Sequence, residues 1–321
     1  MRRRTFLLGC VVATIPAAAI AQANARKIGF VSWFSPELAS QVEQFRHGMR
    51  DLGYVEGRDF TLETHFTGAD ANRTREVVQK LVREKADIIV AVVSPAIEIA
   101  KQEAGSLPIV MASVADPIGA GFAQSLSRPG GNLTGRTMFG PELAAKRIDL
   151  LRDVRPDLRI VAFLGSSAAQ STPRFVRETQ AATDRTGLKL VVHVVAGPKA
   201  IDAAVFEAMR RDGAEAVIVH PIFTTYQERI MPLANAAGMP VVADYAEFAD
   251  AGAVLTYGID LDANLRRAAY FVDRIFKGAN PADLPIEQPT ETKLVVNLTV
   301  AKRFGWAIPP TILVSADRVI E

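Results

Sequence analysis

Residues 108–122, PIVMASVADPIGAGF, constrain this chain more than any other stretch. Ile109–Val114 is a short apolar run, of the kind buried on both faces of a parallel sheet. It leads straight into Ala115-Asp116-Pro117. Asp before Pro is a helix-start signal, because Asp caps free N–H groups and Pro loses nothing at the first helical position. Gly119 and Gly121 leave room for close backbone approach. The stretch predicts a strand whose carboxyl end carries an Asp and several free amides, followed by a helix. In an open parallel sheet, ligands bind at that end.

The same punctuation recurs along the chain. Arg26–Val31 reads as a strand, and Ser35-Pro36-Glu37 as a helix start. The helix carries Leu38, Val42, Phe45, Met49 and Leu52 on one face and ends at Gly53. Asp59–Phe66 alternates like a strand, Asp70 opens a second helix, and Asp87–Val93 is a continuous apolar strand before Ser94-Pro95. Residues 26–127 thus alternate strand and helix four times, which predicts an α/β, doubly wound lobe. The turn cluster Arg128–Asn132 reads as its edge. From Pro141 the pattern restarts, with strands over Leu158–Leu164, Leu188–Val195, Ala216–His220 and Pro240–Ala243 separated by helices. The tail adds a strand at Ala253–Tyr257, a helix at Leu261–Lys277 and a strand at Thr292–Leu298. At 321 residues, two lobes of this size bury large cores without disulfide staples.

The first 25 residues read as an export signal. Arg2–Arg4 precede an apolar run over about Phe6–Ile20, and Ala19-Ile20-Ala21 fits a cleavage site. Arg3-Arg4-Thr5-Phe6-Leu7 is similar to a twin-arginine signal. Leu7-Leu8-Gly9-Cys10 is similar to a lipoprotein box, but it stands too near the start to have an apolar run ahead of it. Cys10 is the only cysteine, so the mature chain is expected to lack disulfides, thiolate metal sites and a cysteine nucleophile. The formal net charge is +2. Without residues 1–25, which hold three Arg and no acid, Lys+Arg falls from 37 to 34 against 35 Asp+Glu, a balance of −1. That balance gives no reason to expect nucleic acid as a partner.

Motifs for enzymatic chemistry are missing. Gly119-x-Gly121 lacks the third glycine of a dinucleotide fingerprint, and there is no G-x-x-x-x-G-K-[ST], G-x-S-x-G or H-E-x-x-H. The four histidines, His47, His65, His193 and His220, are scattered, and only His220 stands at the carboxyl end of a strand. Neither a metal nor a cofactor is expected.

Several segments, in order, resemble the ABC-transporter substrate-binding proteins of the tryptophan/tyrosine-binding type. They are FRHGMRDLG at Phe45–Gly53 with Tyr54–Arg58, VADPIGAGF at Val114–Phe122 and SRPGGNLTG at Ser127–Gly135. Tyr257–Asp260, IFKGANPADLP at Ile275–Pro285 and QPTETKLVVNL at Gln288–Leu298 follow. The resemblance implies a type I periplasmic binding fold, with two parallel-sheet lobes joined by a three-segment hinge and a ligand cleft between them. It implies an N-terminal lobe of 26–139 and 256–284 and a C-terminal lobe of 140–255 and 285–321. It further implies a periplasmic, monomeric, non-enzymatic protein that captures a small-molecule ligand by hinge closure and delivers it to ABC permease membrane subunits. A sensor on the same fold, presenting its bound form to a receptor kinase or chemoreceptor, is the alternative; an exported α/β enzyme is a third. A repressor would need a basic helix-turn-helix where the export signal stands.

A cleft binder places its ligand contacts at strand ends. The candidates on the first lobe are Trp33, Ser94, Pro95, Ala96, Ser113, Asp116 and Pro117. On the second they are Ser166, Gln170, Pro221, Ile222, Phe223 and Tyr245, with Tyr257 and Asp260 near the crossover. For an amino-acid ligand, Asp116, Asp244 or Asp260 would take the ammonium, and helix N-terminal amides the carboxylate. No arginine stands at an obvious strand end. Each candidate also has a plain structural use: Asp116 and Ser94 as helix caps, Trp33 as a loop aromatic, Tyr245 and Tyr257 as core.

Overall fold

Ile88–Val92 is buried at every position, as a strand covered on both faces must be. It belongs to the first of two sheets in a computed structural model that describes residues 25–34, 36, 40–138, 140 and 142–321. The expected export signal, with Cys10, lies outside the described residues up to position 24, as does Ser35 of the first helix-start signal.

The first part of the chain forms β1 (Arg26–Ser32), α1 (Ser40–Asp51), β2 (Phe60–Phe66), α2 (Ala71–Arg83), β3 (Ile88–Val92), α3 (Ser94–Glu103), β4 (Ile109–Val114) and β5 (Leu133–Thr137). The sheet is all parallel in the order β2-β1-β3-β4-β5. The second part forms α4 (Ala144–Val154), β6 (Ile160–Ser166), α5 (Thr172–Thr186), β7 (Lys189–Val195), α6 (Ala203–Arg211) and β8 (Ala216–Val219). It continues through α7 (Gln227–Ala236), β9 (Val241–Ala243), α8 (Ala246–Asp250), β10 (Leu255–Ile259), α9 (Leu261–Phe276), β11 (Thr292–Asn297), α10 (Leu298–Arg303), α11 (Pro310–Ser315) and β12 (Arg318–Ile320). The second sheet runs β12-β11-β10-β9-β8-β6-β7.

Both sheets contain the same winding. In each, the strand order reverses between the first strand of the unit and the third: β1 and β3 in one lobe, β6 and β8 in the other. That reversal opens a crevice at the carboxyl ends, the ligand position of a doubly wound fold. The second lobe is not wholly parallel, since β11 runs antiparallel to β10.

Three differences from the sequence reading have simple causes. No helix follows Asp116-Pro117. The segment turns instead, with the Phe122 and Ala123 amides donating to Pro117 O, and Gly121 at φ +68° ends any helical path. The lobe does not end at the Arg128–Asn132 turn, because Leu133–Thr137 adds the edge strand β5. The expected boundary at 255/256 falls inside β10, which pairs with β9 and β11, so 256–259 stay with the second sheet. The chain crosses back only at α9, which packs on α1, β4 and β5. Gly48 makes that close packing possible: a Cβ there would stand 2.2 Å from Arg266 O.

Candidate functional site

The carboxyl ends of the two sheets face each other across a cavity of about 280 Å³. β1 leads into Trp33 and Phe34, β3 into Val93, Ser94 and Pro95, and the turn after β4 supplies Asp116, Gly119 and Phe122. From the other lobe come Gln170 and Ser171 after β6, Arg174 and Arg177 on α5, His220, Pro221 and Ile222 after β8, and Tyr245 after β9. The walls mix apolar and aromatic side chains with polar and charged ones, among them Glu98, Asp116, Arg174 and Arg177, and a small-molecule site needs both kinds.

Two backbone features mark the first-lobe side. Val93 has φ 62° and ψ 158°, a conformation ordinarily left to glycine, and Ser113 has φ 74° at a register shift in β4. Both lie at strand ends beside the cavity. Strain of this kind persists where surrounding structure imposes it. It turns the Ser113 hydroxyl toward the Tyr245 hydroxyl of the other lobe, 3.1 Å away. Tyr245 is buried, and burial holds its phenol well above the ordinary value.

Among the described residues, three polar contacts bridge the cleft at the cavity. Besides Ser113–Tyr245, Gln170 Nε2 donates to Glu98 Oε1 at 2.6 Å, and Arg174 Nη1 lies 3.1 Å from Asp116 Oδ1. Arg174 also pairs with Glu142, just ahead of α4. The first helical turn of α3 has no side-chain cap; Ser94 Oγ instead accepts from the Ala115 amide at 3.2 Å, so Ser94 is not the N-cap expected of it. An uncapped helix start beside a cavity is a natural seat for an anion.

Of the sequence candidates, Trp33, Ser94, Pro95, Asp116, Gln170, Pro221, Ile222 and Tyr245 line the cavity. The others are placed elsewhere. Ala96 and Phe223 are wholly buried in the cores of their own lobes. Ser113 lies behind Tyr245. Pro117 is held in the turn through its carbonyl. Ser166 Oγ accepts from the Ala168 amide, and Ser166 O accepts from Thr172 Oγ1. The Tyr257 hydroxyl donates to Thr292 Oγ1. Asp260 caps α9 through the Ala263 amide at 3.2 Å. Asp244 is removed from ligand contact by Arg147: the two form a buried pair at 2.8 Å, while Arg147 also donates to Tyr257 O and Gly140 O. Burial pushes the Asp244 carboxyl up to about 6 against the pull of Arg147. Arg174 and Arg177 were invisible to strand-end reasoning, because they stand inside α5, in its first and second turns.

Ser171 and His220 lie 3.3 Å apart in the cavity wall and invite comparison with a nucleophile and its base. The hydrogen bonding argues against it. His220 Nδ1 accepts from the Ile222 amide at 3.0 Å, so in the neutral ring Nε2 carries the proton and faces Ser171. Burial, and then Arg147, drives the imidazole pKa down to about 3. The ring has no free basic nitrogen for Ser171 and therefore cannot activate it. The imidazole packs in T-shaped arrangements with Phe163 and Phe175. Among the described residues, no group of three or more His, Cys, Asp or Glu is placed to hold a metal ion, and no helix is long and apolar enough to cross a membrane.

A family model described as ABC transporter substrate binding protein matches residues 28–320. The chain belongs to that family. This substrate-binding protein is 21% identical over 262 residues to a tyrosine-binding protein of Clostridioides difficile strain R20291, covering 82% of this chain and 75% of the relative. The crystal structure of an ABC domain in complex with L-Trp from Streptococcus pneumoniae matches with a TM-score of 0.86 at 24% identity, over 92% of this chain and 100% of that one. The ligand-free, open structure of a substrate-binding protein with adhesive properties from Clostridium difficile matches with a TM-score of 0.69 at 19% identity, over 92% and 99%. These structural likenesses establish the two-lobed α/β fold that the ordered motifs implied.

Proposed function

We propose that this substrate-binding protein is exported to the periplasm as a monomer and serves as the capture subunit of an ABC importer. It takes a small ligand, an aromatic or other apolar amino acid or a related small carboxylate, into the cavity by hinge closure and delivers it to the permease. The observation that carries this reading is a cavity walled by both lobes and bridged by three contacts that hold only when the lobes meet. Trp33 and Tyr245 provide flat walls. The uncapped start of α3 and Arg174 suit a carboxylate, and Asp116 suits an ammonium. The relatives named for tyrosine and bound to L-Trp support the amino-acid choice. The neutral, committed His220 supports a binding role over a catalytic one.

The test is a thermal-shift screen of amino acids, aromatic acids, nucleosides, sugars and short peptides, with small-angle scattering on every hit. A ligand at 100 times its dissociation constant stabilises the fold by roughly 2.7 kcal/mol, an easily read shift. Compaction with that ligand is expected. If no compound shifts the transition, and mass spectrometry of the denatured protein releases no small molecule, the binding role is wrong. Stabilisation without compaction would remove hinge closure alone.

A further inference from the structure

Arg174 and Asp116 meet across the cleft from opposite lobes, and each is aimed by its own lobe. Asp116 Oδ1 accepts from the Gly119 amide at 2.9 Å. A Cβ on Gly119 would stand 2.3 Å from Asp116 Oδ2, so the residue opposite has to be glycine for the carboxylate to lie as it does. Arg174 is held on its other side by Glu142. Its guanidinium therefore points at the first lobe through a contact made within the second. Ordinary surface ion pairs are worth little, because two long side chains must be fixed at the same moment. Here both ends are fixed beforehand, and the side chains are only 30% and 26% exposed. The Gln170–Glu98 hydrogen bond runs beside the pair and crosses the cleft in the same sense.

We propose that Asp116 and Arg174, aimed by Gly119 and Glu142, form a built-in latch that sets how much of the ligand-free protein is closed. Closure brings the two prepared charges together; opening separates them and leaves each with its partner on its own lobe. The latch rests on the hinge-closing reading above, but its test needs no ligand, so the two fail separately.

The experiment is double electron–electron resonance on the full chain carrying Cys10→Ser, with spin labels at Val55→Cys and Val314→Cys. Val55 is an exposed residue of the first lobe and Val314 one of the second. Arg174→Gln and Asp116→Asn are each expected to enlarge the longer-distance, open population about two- to fivefold, the range a pair of this exposure sustains. The double variant is expected to open no further than either single one, since both remove the same contact. Glu142→Gln, which touches nothing on the other lobe, is expected to give a smaller shift in the same direction. Raising NaCl from about 50 mM to about 1 M should open the parent chain and leave Arg174→Gln unmoved, because the latch is screened by salt. Three results would overturn the latch: single variants with the parent distribution, strictly additive effects in the double variant, or a salt response unchanged in Arg174→Gln. Circular dichroism melting of each variant identifies any that fails to fold; in that event the salt response of the parent chain alone decides.

Discussion

Gly119 and Asp116 show how far a single methyl group reaches in this site. With Ala at 119, the added Cβ collides with the carboxylate, which must turn away from the Gly119 amide and from Arg174. Gly119→Ala is expected to weaken ligand binding roughly tenfold, the equivalent of one charged hydrogen bond of about 1.5 kcal/mol, while the melting temperature barely moves. Titration calorimetry against the best hit from the ligand screen checks this; full affinity in the variant would take Asp116 out of the site. His220 and Asp244 make a second expectation, in pH. His220 is depressed to about 3, so it contributes stability above its ordinary value near 6.5, and that stability is lost as pH falls. Asp244 is raised to about 6, so its contribution is full below its ordinary value near 3.8 and is lost as pH rises through 6. Between pH 6 and 4 the two slopes oppose each other. His220→Asn keeps an acceptor for the Ile222 amide but removes the titration and the ring packing. It should be less stable than its parent at pH 7.5, and the gap should narrow on acidification by about 1.4 kcal/mol per pH unit. Parallel stability curves from urea denaturation would show that His220 does not titrate in this way. Much of the cavity wall was legible at this scale: Trp33, Asp116, Gln170 and Tyr245 stand in it, where strand ends converge. What was not legible is which polar groups are already engaged. Ser166, Asp244 and Asp260 carry suitable chemistry, but local caps and Arg147 use it, and only three-dimensional neighbours reveal that.

At the scale of elements, the fold was readable wherever burial is written as an unbroken apolar run. β3, β4, β6 and β8 are such runs, and the sequence places all four. β5 was missed because LTGRT has a glycine in its middle and an arginine beside it; its pairing comes from β4, not from its own composition. The Asp116-Pro117 helix failed for the converse reason: the start signal is present, but two glycines within five residues make a turn cheaper than a helix. The return of α9 to the first lobe has no local signal either, and comes only from the resemblance. It depends on a contact more than two hundred residues apart in sequence, between Gly48 on α1 and Arg266 and Ala269 on α9. That contact carries its own expectation. Gly48→Ala drives a methyl group into Arg266 O and the Ala269 side chain, and the helices must separate to admit it. The cost should be 1–3 kcal/mol, as for other overpacked cores. Urea denaturation should show a lower midpoint with an unchanged slope. An unaffected midpoint would mean that α1 and α9 do not need their close approach.

At the scale of the molecule, the two sheets repeat one winding and set their crevices face to face, so neither lobe owns the cavity. The first lobe is completed by α9, which reaches it only after the chain has built most of the second. Arg136 of β5 pairs at 3.1 Å with Glu291, just ahead of β11, and ties the lobes at the crossovers; Asn264 of α9 donates to Thr137 O at 3.0 Å and fixes, within the first lobe, the point where β5 leaves it. Arg147 holds Gly140 O on one crossover and Tyr257 O just before another, with Asp244 as its counter-ion. Contacts at these points would confine any swing of the lobes to the crossovers, and Glu98 meets Gln170 across the cleft in the cavity wall. If ligand enters and leaves by such a swing, tying position 98 to position 170 should stop exchange while leaving the rest of the wall as it is. A chain with Cys10→Ser, Glu98→Cys and Gln170→Cys, joined by a short cleavable thiol-to-thiol linker, is expected to exchange ligand orders of magnitude more slowly than the unlinked protein. Cleaving the linker should restore the original rate. Stopped-flow displacement of bound ligand, followed by the fluorescence of Trp33 in the cavity wall, reads both rates. Unchanged exchange in the linked protein would mean that the ligand passes through a gap the lobes never close, and hinge motion would then have no part in capture.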